Sequence, residues 1–107
     1  LMFTDLVGFT SMSGDLTAAE LVTLLDSLFS AYDKLVESRG LEKIKTAGDA
    51  YIMAGNLFNH PPNVHCLCVE AGLKTYEVLK VLNQEKQLPK KIQQRCGIHT
   101  GNVVGGV

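Results

Sequence analysis

Asp5, Asp49 and Lys45 are the residues of this 107-residue chain whose type and setting point first to chemistry. Asp5 sits in Phe3-Thr4-Asp5-Leu6-Val7-Gly8-Phe9-Thr10. An acidic residue leaving a buried strand can hold a cation at a sheet end. Gly8 lets the backbone approach a ligand closely, and the N–H groups after it can take phosphate oxygens. Asp49 follows Gly48 and opens a second strand-like run. Taken singly, each aspartate reads as a turn residue. Taken together they mark two strand–loop junctions, in a fold where the first strand can lie beside the later hairpin. Two carboxylates meeting there suit Mg²⁺, which takes oxygen ligands and keeps waters and substrate phosphates. Two such ions, clamped between the carboxylates and a polyphosphate, give the arrangement for displacement at phosphorus.

Lys45 lies four residues before Asp49. In a regular strand it shares a face with Lys43. Such lysines are usually solvated, but beside an acidic hairpin one can bind phosphate or the edge of a base. Gly97-Ile98-His99-Thr100-Gly101-Asn102-Val103-Val104-Gly105-Gly106 carries enough glycine to imply close backbone approach or tight packing. His99 reads there as a structural or interface histidine. His65-Cys66-Leu67-Cys68 looks like a metal motif. On a helix, however, residues two apart face different directions, so Cys66 and Cys68 do not share an ion. Cys96 reads as a small core filler.

The elements that must position these residues follow from periodicity. Leu1 to Thr4 reads as the end of a buried strand, and Ser11 to Gly14 as a loop. Thr17-Ala18-Ala19-Glu20 is a capping box. Leu21, Leu24, Leu25, Leu28, Phe29, Tyr32, Leu35 and Val36 follow at helical spacing, so a helix is predicted from Ala18 to Arg39, ended by Gly40 as a left-handed cap. Leu41 to Thr46 and Asp49 to Ala54 read as a hairpin with Ala47-Gly48 between them. Pro61-Pro62 opens a second helix with Val64, Leu67, Cys68, Ala71, Val78, Leu79 and Leu82 on its apolar stripe, and Pro89 ends it. Ile92 to His99 is a strand, Thr100-Gly101-Asn102 a turn, and Val103 onward a further strand. Strand, helix, strand, strand, helix, strand is the ferredoxin-like βαββαβ pattern, an α+β sandwich. That fold alone hosts many unrelated activities.

Composition sets the outer limits. Apolar types are 46% of the chain and charged types 20%, which excludes a disordered or collagen-like chain. Ten basic against eleven acidic residues leave a formal charge of −1, so no global basic field attracts nucleic acid or an anionic membrane. Ala50 to Val69 lacks charge, but its Asn, His and Pro residues rule out a membrane span. Three cysteines, an odd number without a signal peptide, read as free thiols in a reducing compartment, hence a cytoplasmic segment. A first residue that is Leu1, and a Gly-Gly-Val end inside a strand pattern, read as a piece of a longer chain.

Three blocks in order, Phe3 to Thr10, Glu42-Lys-Ile-Lys-Thr-Ala-Gly-Asp-Ala-Tyr51, and Arg95-Cys-Gly-Ile-His-Thr-Gly-Asn-Val-Val-Gly-Gly-Val107, resemble the catalytic domain of class III nucleotidyl cyclases. The resemblance implies that residues 1–107 are the N-terminal and central part of such a domain. Asp5 and Asp49 look like its metal-bridging aspartates, and the Leu6 carbonyl like a further metal ligand. Val7, Gly8, Phe9 and Thr10 resemble the loop that wraps the triphosphate. Lys45 occupies the place where adenylate cyclases carry a purine-reading lysine and guanylate cyclases commonly carry Glu, which favours ATP over GTP.

The implied reaction is attack of the ribose 3′-oxygen on the α-phosphorus, with Mg²⁺ (two per site, Mn²⁺ substituting), to give 3′,5′-cyclic AMP and pyrophosphate. Sites of this family form between two head-to-tail domains. Asp5, Asp49 and Lys45 in one chain fit a symmetric homodimer with two sites. The family's second base-reading residue and its transition-state Asn and Arg are expected beyond Val107, so residues 1–107 alone are expected to be inactive. The alternatives are a guanylate cyclase, a catalytically silent cyclase-like regulatory or dimerisation module, and a generic ferredoxin-like binding domain.

Overall fold

The structure is a computed structural model that describes residues 1–58, 60–85 and 91–106. Its elements are β1 (Met2–Val7), α1 (Phe9–Ser13), α2 (Ala18–Ser38), β2 (Glu42–Ala47), β3 (Ala50–Ala54), α3 (Val64–Glu85) and β4 (Gln93–Ile98). The four strands form one sheet in the order β2-β3-β1-β4, with every neighbouring pair antiparallel. This is the expected ferredoxin-like α+β architecture, with β3 inserted between β1 and β2.

The helix α2 forms where its sequence closes orphan backbone groups. Thr17 caps α2: its hydroxyl accepts from the Glu20 N–H at 3.2 Å, and the Glu20 carboxylate accepts from the Thr17 N–H at 2.7 Å. Leu24, Leu28, Tyr32 and Val36 of α2 and Cys68, Ala71, Leu79 and Leu82 of α3 then bury one stripe each. They meet Met2, Leu6, Tyr51 and Met53 from the sheet in a single core. Both long helices therefore cover one face of the sheet. The other face is open: Phe3 and Val7 of β1 are 49% and 42% exposed.

A buried polar chain crosses this core. The Tyr32 hydroxyl donates to Gln94 Oε1 at 2.7 Å, Gln94 Nε2 donates to Thr75 Oγ1 at 2.6 Å, and Thr75 Oγ1 donates to the Gly72 carbonyl at 2.6 Å. Buried polar groups hold their place when each is paired. This chain ties α2, α3 and β4 together through one side chain, Gln94.

Several boundaries differ from the sequence expectation. β1 continues through Asp5 to Val7 because the in–out alternation continues, with Thr4 and Leu6 both buried. Asp5 is thus inside a strand rather than at its end. The Ser11–Gly14 stretch is mostly helix, α1, which buries Met12 and closes with Met12 N–H on the Gly8 carbonyl. The hairpin turn is Gly48-Asp49, one residue later than expected, and residues 103–106 form no strand. Pro89 and Val107 lie outside the described residues. Among the described residues no helix is long and apolar enough to cross a membrane.

Candidate active site

The two aspartates are brought together by the β1–β3 pairing. Gly48, with φ of 60°, takes the first of the two turn positions between β2 and β3. Glycine-first is the pattern of a type II′ hairpin, whose twist suits the flanking strands. Asp49 takes the second turn position, next to Ala50. Ala50 is the antiparallel partner of Asp5. The turn thereby places Asp49 beside Asp5, although 43 residues of chain separate them.

Burial and the neighbouring Asp5 carboxyl act on Asp49 together. Its pKa is raised, first by desolvation and then by the charge and the hydrogen-bonding contact of the Asp5 carboxyl; backbone N–H groups of Asp49 itself and of Leu6 pull it the other way. Two half-exposed carboxylates in contact hold unfavourable charge that a divalent cation would relieve. Among the described residues no group of three or more His, Cys, Asp or Glu gathers at one spot. The protein therefore offers two acidic side chains here. That set is too small for a closed structural metal site. It suits Mg²⁺, which leaves much of its shell to water and phosphate. Cys66, Cys68 and Cys96 are free thiols, with Cys66 exposed and Cys68 buried.

Gly8 takes a left-handed conformation, φ 72°, directly after β1, and α1 starts from it. Its positive φ turns the chain sharply past the end of β1, next to Asp5. Val7, Gly8 and Thr10 are exposed there, while Phe9 packs against the core. First-turn N–H groups of a helix have no intrahelical partner, so this corner offers backbone donors close to the acidic pair.

Lys43 and Lys45 do not share a face. The β2–β3 register advances two residues on β2, Lys43 to Lys45, against one on β3, Met53 to Ile52. The extra residue, Ile44, is a bulge, which turns the two lysines to opposite sides. Lys43 lies on the helix side, 3.1 Å from an Asp33 carboxylate oxygen and 5.6 Å from the centre of the Tyr51 ring. Lys45 pairs with Ile52, which pairs with Phe3. Lys45 is therefore exposed on the open face that also carries Asp5.

Arg95 is the site residue that the sequence reading did not single out. It stands opposite Asp5 across the β1–β4 ladder, and its guanidinium donates to Asp5 Oδ2 at 2.7 Å. Its sequence signals were its place two residues before Gly97 in a predicted strand and at the head of the third block of family resemblance. Without the register, nothing tied it to Asp5. Leu6 contributes its backbone to the site while its side chain is buried in the core.

The family model described as adenylate and guanylate cyclase catalytic domain matches residues 1–107. The chain belongs to this family. The cyclase domain is 41% identical over 108 residues to adenylate cyclase type 9 of Xenopus laevis, covering 100% of this chain and 8% of that protein. It is 36% identical over 114 residues to a receptor-type guanylate cyclase of Caenorhabditis elegans, covering 100% of this chain and 10% of that protein. Among solved structures, the adenylyl cyclase CyaB from P. aeruginosa superposes with a TM-score of 0.80 at 25% identity, over 90% of this chain and 52% of that one. The chain thus spans about a tenth of these curated relatives and about half of the solved chain. Both adenylate and guanylate cyclases are among them, so membership establishes the nucleotidyl cyclase class and leaves the base open.

Proposed function

We propose that this cyclase domain converts ATP to 3′,5′-cyclic AMP and pyrophosphate, a phosphorus–oxygen lyase reaction in which the ribose 3′-oxygen displaces pyrophosphate from the α-phosphorus. The observation that carries the reading is the contact of Asp5 and Asp49 on the open face of the sheet, beside the Gly8 corner. Asp5 and Asp49, with the Leu6 carbonyl, would hold Mg²⁺, two per site, with Mn²⁺ able to substitute. When bound, the metal supplies charge neutralisation on the triphosphate and acidifies the attacking hydroxyl. The backbone of Val7, Gly8, Phe9 and Thr10 wraps the phosphates at the turn into α1. Lys45 reads the base, and lysine rather than glutamate there favours adenine.

Lys45 and the acidic pair lie on one face that the helices leave uncovered. Phe3 and Val7 give that face exposed apolar surface. A second copy laid head-to-tail on it would receive the Lys45 of its partner and lend its own, giving two equivalent sites. A cytoplasmic setting fits the three free thiols and the need for ATP.

The test uses the purified protein that carries this chain, assayed with ATP and with GTP under Mg²⁺ or Mn²⁺, with products separated by chromatography. Cyclic AMP is expected to dominate. Asp5→Ala and Asp49→Ala should each abolish product with an unchanged circular dichroism spectrum. Lys45→Glu should lower the ATP preference. Turnover at the wild-type level in either aspartate variant would remove the metal reading. Dominant cyclic GMP would make the domain a guanylate cyclase. No product from either nucleotide would favour a silent regulatory module, a reading that the presence of both aspartates argues against.

A further inference from the structure

The Asp5 carboxylate has two claimants. Its neighbour Asp49 makes it half of an acidic pair, while Arg95 already holds its Oδ2 at 2.7 Å. We propose that Arg95 is a built-in counter-ion that competes with divalent cation for Asp5, and so sets how weakly the site holds metal when no nucleotide is present. The inference rests on the metal reading of the acidic pair given above.

Arg95 is not there by a chance swing of a long side chain. The β1–β4 register makes Asp5 and Arg95 direct cross-strand partners, and opposite charges so placed attract. That register is locked from the other side of the sheet. Gln94, the next residue, is 7% exposed and fastened at both ends of its amide, to Tyr32 and to Thr75. A strand that buries Gln94 against the helices must turn Arg95 to the open face. The Arg95 side chain is 75% exposed. It can therefore leave Asp5 without breaking the core, and the exchange needs only a side-chain rotation.

A cation entering between Asp5 and Asp49 gains both carboxylates but must displace or lie beside a fixed positive charge. Exposed ion pairs of this kind are weak, and charges a few ångströms apart in a water-rich site interact modestly. The expected penalty on metal affinity is therefore about threefold to tenfold, not the loss of binding altogether.

The experiment measures Mn²⁺ binding directly, by electron paramagnetic resonance of free Mn²⁺, on the protein that carries this chain, without nucleotide. Wild type, Arg95→Gln, Arg95→Lys and Asp49→Asn are compared. Arg95→Gln should lower the Mn²⁺ Kd by about threefold to tenfold. Arg95→Lys keeps the charge and should stay within about twofold of wild type. Asp49→Asn should weaken binding and thereby reports on the metal reading separately. If Asp49→Asn weakens Mn²⁺ but Arg95→Gln leaves the Kd unchanged or raises it, the competition is wrong and the acidic pair stands. If Asp49→Asn leaves Mn²⁺ binding intact, the metal reading fails and the proposal falls with it. Unchanged circular dichroism of each variant guards against unfolding.

Discussion

Replacing Asp49 by Asn should make the metal-free cyclase domain more stable at neutral pH, even though it takes away one of the two carboxylates proposed to hold metal. The Asp49 pKa is raised first by burial and then by the like charge of Asp5, and the asparagine removes both penalties. Two full charges about 4 Å apart are worth about 1 kcal/mol in bulk water and about 4 kcal/mol near a protein surface. Asp49 is only partly buried, and Asp5 is paired with Arg95. The relief is therefore discounted to about 0.5–1 kcal/mol. Asparagine keeps a side-chain oxygen for the backbone N–H groups that Asp49 engages, so little is lost in return.

The sign fixes the pH dependence. A carboxyl whose pKa is higher folded than unfolded binds its proton more tightly in the fold. Its penalty is absent at low pH, where both states are protonated. The penalty grows as pH rises from the unfolded value of about 3.9 through the raised folded value, then stays constant. The advantage of Asp49→Asn should follow the same course. For a domain of about twice this chain's length, it should appear as a melting temperature higher by about 1–4 °C at pH 7.5 in EDTA, shrinking toward zero near pH 4. If the proposed site binds metal, saturating Mn²⁺ should reverse the order, because a ligand at a hundred times its Kd would stabilise wild type by about 2.7 kcal/mol and the variant hardly at all. Calorimetry or dye-monitored melting reads both. A variant less stable than wild type in EDTA, or one stabilised equally by Mn²⁺, would refute the argument that these carboxylates form a repulsive pair built for a cation.

The core and its turns make further predictions. Tyr32→Phe strips the donor from buried Gln94 Oε1 and should cost about 1–3 kcal/mol in urea unfolding. Burial pushes Tyr32 and Tyr51 well above the usual tyrosine range. Both stay neutral in the fold while the unfolded chain ionises, so stability should fall as pH climbs past about 10, read by tyrosinate absorbance coincident with loss of helical signal. Gly55→Ala would set a Cβ 2.5 Å from Val64 Cγ2 and 3.0 Å from Leu41 Cδ2, and the overpacking should cost about 1–3 kcal/mol by the same measurement.

What could be read in advance was local, and what could not depended on register. The capping box of α2, both apolar stripes and the succession of four strands and two long helices along the chain follow from contacts within a few residues or from simple periodicity, and each is present in the fold. The two aspartates stood out as acidic residues at expected strand–loop junctions with Gly8 and Gly48 nearby, although β1 runs on past Asp5 to Val7. The pairing of Lys43 with Lys45 failed for a different reason. A single bulge at Ile44 reverses the face of everything after it, and nothing in Glu42-Lys-Ile-Lys distinguishes a bulged strand from a regular one.

Arg95 is the strongest instance of the same limit. Its partner lies 90 residues away, and the residue that aims it, Gln94, acts from the opposite face through a hydroxyl on α2 and another on α3. A glutamine in a strand is usually taken as a solvent-facing position, because polar side chains are costly to bury unpaired. Here it is inward and fully engaged, so the polar pattern of Gln93-Gln94-Arg95 misstates which residue faces water. Once Gln94 is placed inside, Arg95 must face out toward Asp5. The charge of the acidic pair is thus moderated by an arginine whose side of the sheet goes with a core hydrogen-bond network that touches neither aspartate.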